Sequence, residues 1–304
     1  LYSSLTPDEV LTLVPEEGIF IAMHTLLGPG DHVIVMTPAY QSLSEIARSI
    51  GCAVTSWKFA PEGERWRLDP NELARSFTAQ TRLLVINFPH NPTGYLATRA
   101  ELDAILNLAH QHNVYVFSDE MYRWLEHDPA RRLPSVCDVY EKGITLSGLS
   151  KSFALPGLRM GWLATRTPGL MERWLAFKDY TTICHSAPSE ALALMALRAK
   201  GALLERNLNI IRANLSLAES FFAGHPTLFR WLRPDGGSIA FPAWIGPGTV
   251  EDFCQAMLDQ RGVMIVPGSI FDFPGNHFRL GLGRRNFGEA LEQVRHYLRE
   301  ARLA

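Results

Sequence analysis

Four polar signals in this sequence have residue types and spacing that could do chemistry. The stretch SGLSKSFALPGLRMGW, residues 147–162, sets Lys151 and Arg159 among apolar residues and glycines with no acid to pair with them. A buried charge is costly unless it is paired. The segment is therefore either a solvated turn or a place where an anion from outside the chain belongs. Asp119 closes the apolar run VYVFSDE, with Tyr122 three residues on. An acid there is either a helix N-cap or a partly desolvated carboxylate that calls for a cation. The tetrapeptide NPTG, beginning at Asn91, reads in isolation as a turn. Arg279 lies inside the apolar pattern FRLGLG, where a guanidinium needs a carboxylate or phosphate nearby.

The elements that must position these residues are visible as alternating patterns. Short β-branched or aromatic runs fall at 32–37, 53–59, 82–88, 114–120, 143–148 and 160–165. Between them, SLSEIARSIG and TRAELDAILNLAHQHN carry the i, i+3, i+4 apolar spacing of amphipathic helices. The second has Thr98 as an N-cap with Glu101 three residues on, the pattern of a capping box. Strand and helix in alternation predict an α/β fold, a mainly parallel sheet flanked by helices. Such sheets bind ligands outside the carboxyl ends of their strands. The four signals fall at or just after strand ends. From about residue 200 the rhythm changes to a long helical pattern, short strands and a closing helix, which predicts a smaller α+β domain. The boundaries expected are 1–195 for the large domain and 196–304 for the small one.

Bulk composition excludes several classes. The 304 residues are 47% hydrophobic and 20% charged, enough to bury a large core, and the formal net charge is −2. That balance gives no electrostatic case for a nucleic-acid partner or an acidic membrane. The four cysteines, Cys52, Cys137, Cys184 and Cys254, lack metal-ligand or disulfide-framework spacing, so no metal is expected. No apolar run reaches the roughly 18 residues of a membrane span. The start shows no signal-peptide pattern. The expectation is a cytoplasmic protein with reduced thiols.

Taken together, HNPTG, SDEMY, SGLSK with LPGLRMGW, and FRLGLG occur in the order and spacing of a known group. The chain resembles the fold-type-I pyridoxal-phosphate-dependent enzymes, the class I/II aminotransferase family, over nearly its whole length. The resemblance implies pyridoxal 5'-phosphate as cofactor, with its phosphate and aldehyde as the missing partners of the two cations. It implies that Lys151 forms a Schiff base with the cofactor and moves the proton at the substrate Cα. Arg159 would clamp the phosphate, and Asp119 would pair with the pyridinium nitrogen. Asn91 and Tyr122 would hydrogen-bond the phenolic oxygen, Tyr122 beside the catalytic atoms. Tyr40 would stack on the ring, and Arg279 and Asn91 would bind the substrate, Arg279 through its α-carboxylate. Tyr40 has a structural alternative, a Pro-x-Tyr turn that only packs.

The sequence departs from that pattern in three places. Where the family shows a small pair opening the first helix, this chain reads LVPEEGIF. Pro15 has no N–H to give to a phosphate, while Glu16 keeps its N–H provided its carboxylate turns away. The position three before the lysine is Gly148 rather than a hydroxyl residue, which leaves Ser147 or Ser150 to substitute. The sequence also begins at a point that resembles the interior of these enzymes, so an N-terminal arm is expected to be missing. The resulting expectation is a transferase of amino-acid metabolism, an aminotransferase moving the amino group of an α-amino acid to a 2-oxo acid, as a homodimer. Alternatives on the same residues are a β-lyase, decarboxylase or cyclase, or the cofactor-sensing domain of a transcriptional regulator. Segment 178–190, which resembles the one that brings a side-chain arginine in dicarboxylate-specific members, contains no arginine. That disfavours aspartate and glutamate as preferred substrates.

Overall fold

Successive residues of HVIVMT bury into two different cores, which makes this strand the centre of the molecule. Val33 and Val35 pack with Ile21 and Trp174 on one side, while Ile34 and Met36 pack with Leu73, Leu102 and Ile105 on the other. Side chains alternate across a strand, so a strand covered on both faces must be apolar throughout. The computed structural model describes residues 1–303. Its main sheet has eight strands: β1 (Val10–Leu13), β2 (His32–Thr37), β3 (Ala53–Glu62), β4 (Arg65–Leu68), β5 (Thr81–Asn87), β6 (Tyr115–Asp119), β7 (Gly143–Gly148) and β8 (Gly161–Thr165). The spatial order is β1-β8-β7-β6-β5-β2-β3-β4. Strands β3, β2, β5, β6 and β7 run parallel, and β4 and β8 pair antiparallel to their neighbours. Strand β1 is antiparallel to β8 and so shares the direction of β7.

Helices α1 (Pro15–Leu26), α2 (Ser42–Ile50), α3 (Pro70–Ser76), α4 (Arg99–Gln111), α5 (Val136–Val139) and α6 (Leu170–Lys178) accompany this sheet. The capping box of α4 is present: the Glu101 N–H donates to Thr98 Oγ1 at 3.2 Å, and the Thr98 N–H donates to Glu101 at 2.6 Å. Helices α7 (Ala187–Arg198) and α8 (Lys200–Ala223) lead to the C-terminal part. There β9 (Phe229–Arg230) pairs with β11 (Ala243–Trp244). Strands β10 (Ile239–Ala240) and β12 (Val266–Pro267) flank β13 (Phe278–Gly281). Helices α9 (Val250–Arg261) and α10 (Phe287–Glu300) close a separate core around Phe229, Trp244 and Phe253. Among the described residues no helix is long and apolar enough to cross a membrane.

Two edge features lie outside the strand pattern read from the sequence. β3 runs on past residue 59 and turns back as β4, and β1 adds an outer strand beyond β8.

Candidate active site

The carboxyl ends of β1, β2, β5, β6 and β7 point the same way, and the segments leaving them enclose a cavity of 260 Å³. All nine residues singled out from the sequence line it: Glu16, Tyr40, Asn91, Asp119, Tyr122, Ser150, Lys151, Arg159 and Arg279. Eight leave the ends of sheet strands, and Arg279 reaches in from β13.

Asp119 is 7% exposed and ends β6. Its Oδ1 accepts the Met121 N–H at 3.0 Å, which satisfies one oxygen in a tight turn rather than at a helix start. The other oxygen has no hydrogen-bond partner among the described residues. Burial pushes the carboxyl up to about 6, against the Met121 N–H and the Lys151 charge. Burial likewise pushes Tyr122 up to about 12. Lys151 is held below the usual lysine range by burial and by the Arg279 and Arg159 guanidiniums, with Asp119 opposing.

The stretch 147–162 is not buried as a whole. Leu149, Ser152, Phe153 and Met160 are buried, while Lys151 and Arg159 open onto the cavity. Ser152 anchors the loop, donating to the Met121 carbonyl at 3.0 Å, and Asn207 of α8 donates to the Ser152 carbonyl at 2.8 Å. Arg159 adopts a left-handed φ of 53°, uncommon outside glycine, and donates to the Pro156 carbonyl at 3.0 Å. Arg279 donates to Asn91 Oδ1 at 3.2 Å and lies over the Phe271 ring at 5.1 Å. Among the described residues, Lys151, Arg159 and Arg279 make no ion pair with a protein carboxylate.

Asn87 was not anticipated. It ends β5 opposite Asp119, donates to the Asp119 carbonyl at 2.8 Å and accepts the Asn91 N–H at 2.8 Å. One side chain thus sets the spacing of the acid and the amide. The signal was present in the sequence, a polar residue ending an apolar strand as Asp119 does.

The departures at the first helix also resolve. The Pro15 ring fills the space beside β7 and β8: a Cβ on Gly161 would lie 2.6 Å from Pro15 Cγ, and one on Gly148 3.1 Å from it. The missing hydroxyl at position 148 and the proline at position 15 are therefore one steric arrangement. Of the two serines, Ser150 lines the cavity, whereas the buried Ser147 hydroxyl makes no hydrogen bond. The Glu16 carboxylate accepts a hydrogen bond from Ser42 Oγ at the start of α2. Glu17 turns to Lys178 of α6 at 3.6 Å and accepts from Thr182 Oγ1 at 2.8 Å.

Pyridoxal phosphate fits this donor set. Arg159, Ser150 and the start of α1 could hold an anionic phosphate, and the free oxygen of Asp119 could take a ring N–H. Lys151 could meet an aldehyde. The sheet has the fold-type-I architecture of pyridoxal-phosphate-dependent enzymes. The chain belongs to the aminotransferase class I and II family, whose model matches residues 5–292. It is 32% identical to the capreomycidine synthase of Streptomyces vinaceus over 84% of this chain, and spans 65% of that relative's length. The crystal structure of a PLP-dependent aminotransferase from Streptococcus suis superposes with a TM-score of 0.92 at 31% identity, covering 98% of this chain and 79% of that one. The PLP-dependent cyclase OrfR superposes with a TM-score of 0.89 at 30% identity, covering 99% and 80%.

Proposed function

We propose that this chain acts as a pyridoxal-phosphate-dependent aminotransferase, moving the amino group of an α-amino acid to a 2-oxo acid. The observation that carries the reading is the single cavity that gathers Lys151, Asp119, Arg159 and Arg279, with no carboxylate among the described residues in an ion pair with the three cations. The cofactor, when bound, supplies an aldehyde for amines and a ring that accepts the electrons of a bond broken at the substrate Cα.

Each side chain then has a task set by its surroundings. Lys151, its pKa lowered by burial and two guanidiniums, is more readily the free amine that attacks an aldehyde and takes a proton from the substrate Cα. Asp119, nearly enclosed, would hold the proton of the ring nitrogen in an ion pair. Asn91 and Tyr122 would hydrogen-bond the phenolic oxygen, and the Tyr40 ring would stack on the cofactor. Arg159 and Ser150 would hold the phosphate. Arg279, steadied by Asn91 and Phe271, presents its fork to the α-carboxylate. We place these tasks on residues 16–159 of the large domain and on residue 279 of a small domain, 196–304. A homodimer of cytoplasmic location is part of the same reading.

Borohydride treatment of the loaded protein should fix the cofactor on Lys151, and Lys151→Ala should lower turnover by about 10²–10⁴-fold, the usual cost of a lost general acid–base. Labelling of another lysine would reject the assignment. The similarity to capreomycidine synthase and OrfR favours ring closure on an amino acid as a second reading. An amino-donor panel separates the two: a new amino acid formed from the 2-oxo acid marks transfer, and its absence with donor consumed marks the alternative.

A further inference from the structure

The start of α1 is an unusual place to receive an anion. Pro15 offers no N–H, and the Gly18 N–H is committed to the Val14 carbonyl at 3.0 Å. Among the described residues that leaves Glu16 and Glu17 as the free backbone donors of the first turn. Both carry negative side chains, and a carboxylate beside a phosphate is repulsive.

The two carboxylates are drawn off in different directions. Glu17 is engaged with Lys178 and with the Thr181 and Thr182 hydroxyls on the far side of α1. Glu16 lines the cavity itself, and its carboxylate accepts from the Ser42 hydroxyl. Ser42 is the first residue of α2, where the positive end of the helix favours a negative group. The Tyr40 hydroxyl lies beside the same carboxylate, which adds to burial in raising the phenol above its ordinary range.

We propose that Ser42 is a positioning residue for cofactor binding: its hydroxyl parks the Glu16 carboxylate at the start of α2 and so leaves the Glu16 N–H open to the cofactor phosphate. This rests on the reading that the cavity takes a phosphate between Arg159 and α1. Without the Ser42 hydroxyl, the carboxylate keeps only the Tyr40 hydroxyl beside it and can swing toward the phosphate.

The test is equilibrium binding of pyridoxal phosphate and of pyridoxal to the full chain freed of cofactor, followed by cofactor absorbance. Wild-type protein should prefer the phosphate ester strongly. Ser42→Ala should weaken pyridoxal phosphate about five- to tenfold, the scale of one like-charge contact at about 4 Å in a water-filled cavity, and leave pyridoxal unchanged. Ser42→Thr, which keeps the hydroxyl, should bind as wild type. Ser42→Ala combined with Glu16→Gln should recover the lost affinity. A loss that persists in the double variant, that extends to pyridoxal, or that fails to appear would overturn the proposal while leaving the phosphate reading intact. Equal wild-type affinity for the two compounds would overturn the phosphate reading and the role of Ser42 with it.

Discussion

A carboxylate enclosed without a cation in contact is destabilising, and Asp119 is in that position until a ring nitrogen meets it. Its pKa rises from 3.8 to about 6, so the folded protein binds this proton more tightly than the unfolded chain. Stability therefore falls as pH rises between those two values and stays lower above them, by on the order of 3 kcal/mol. Asp119→Asn should raise the melting temperature of the cofactor-free protein near pH 8 and change it little near pH 3.5. An equal shift at both would mean that the ionised form is not what costs stability. Arg279 tests the opposite case, a cation that has no carboxylate partner to lose among the described residues. Arg279→Ala should raise KM for amino acids by an amount equivalent to about 2–5 kcal/mol of binding and leave the melting temperature and the turnover of amines lacking a carboxylate alone. Arg279→Lys should recover part of the affinity, since an ammonium lacks the flat fork. A drop in thermal stability without substrate would instead give Arg279 a structural task. At this scale the sequence was highly legible, because a polar residue at the end of an apolar strand stands out against its surroundings. Asn87 was overlooked although it too ends an apolar strand, because its partners are the main chain at Asp119 and Asn91, and nothing in sequence order brings Ser42 to Glu16.

The strands that carry the cavity were legible as elements for the same reason that they are central: burial on both faces demands apolar residues throughout. The run 32–37 coincides with β2 and 143–148 with β7. Edge strands are subject to a weaker demand. β1 and β4 are four residues each with one or two polar or charged side chains, and the strands of the C-terminal sheets are two to four residues long. Such short pieces leave no periodicity to read. Neither did the sequence show that positions 15, 148 and 161 meet across α1, β7 and β8. Gly148→Ser places a Cβ 3.0 Å from Gly161 Cα and 3.1 Å from Pro15 Cγ, and should cost about 1–3 kcal/mol through overpacking. Combining it with Pro15→Ala should recover part of that loss, measured as the midpoint of denaturant unfolding. Full additivity of the two changes would show that they do not share this space.

Across the whole molecule, several large apolar side chains remain uncovered. Phe20 of α1, Leu175 of α6, Tyr180 and Ile183 of the following loop, and Leu192 and Met195 of α7 are all exposed, Tyr180 at 91%. Apolar side chains exposed on α1, α6, the loop after it and α7 are the kind that a second copy of the chain would cover, in keeping with the homodimer proposed above. Sedimentation should give a dimer mass, and Met195→Glu should shift the protein toward monomer. An unchanged monomer mass in both would remove the dimer from the proposal. The reach of the chain has a further consequence, one of timing. Arg279 meets Asn91 across 188 residues, whereas the residues assigned to the cofactor all precede Thr165, the last residue of the eight-stranded sheet. Contacts between distant positions are slow to form because a long loop must close first. A chain emerging during synthesis therefore carries every residue assigned to the cofactor before Arg279 exists, and the residue that grips a substrate carboxylate is the last of the site to be made.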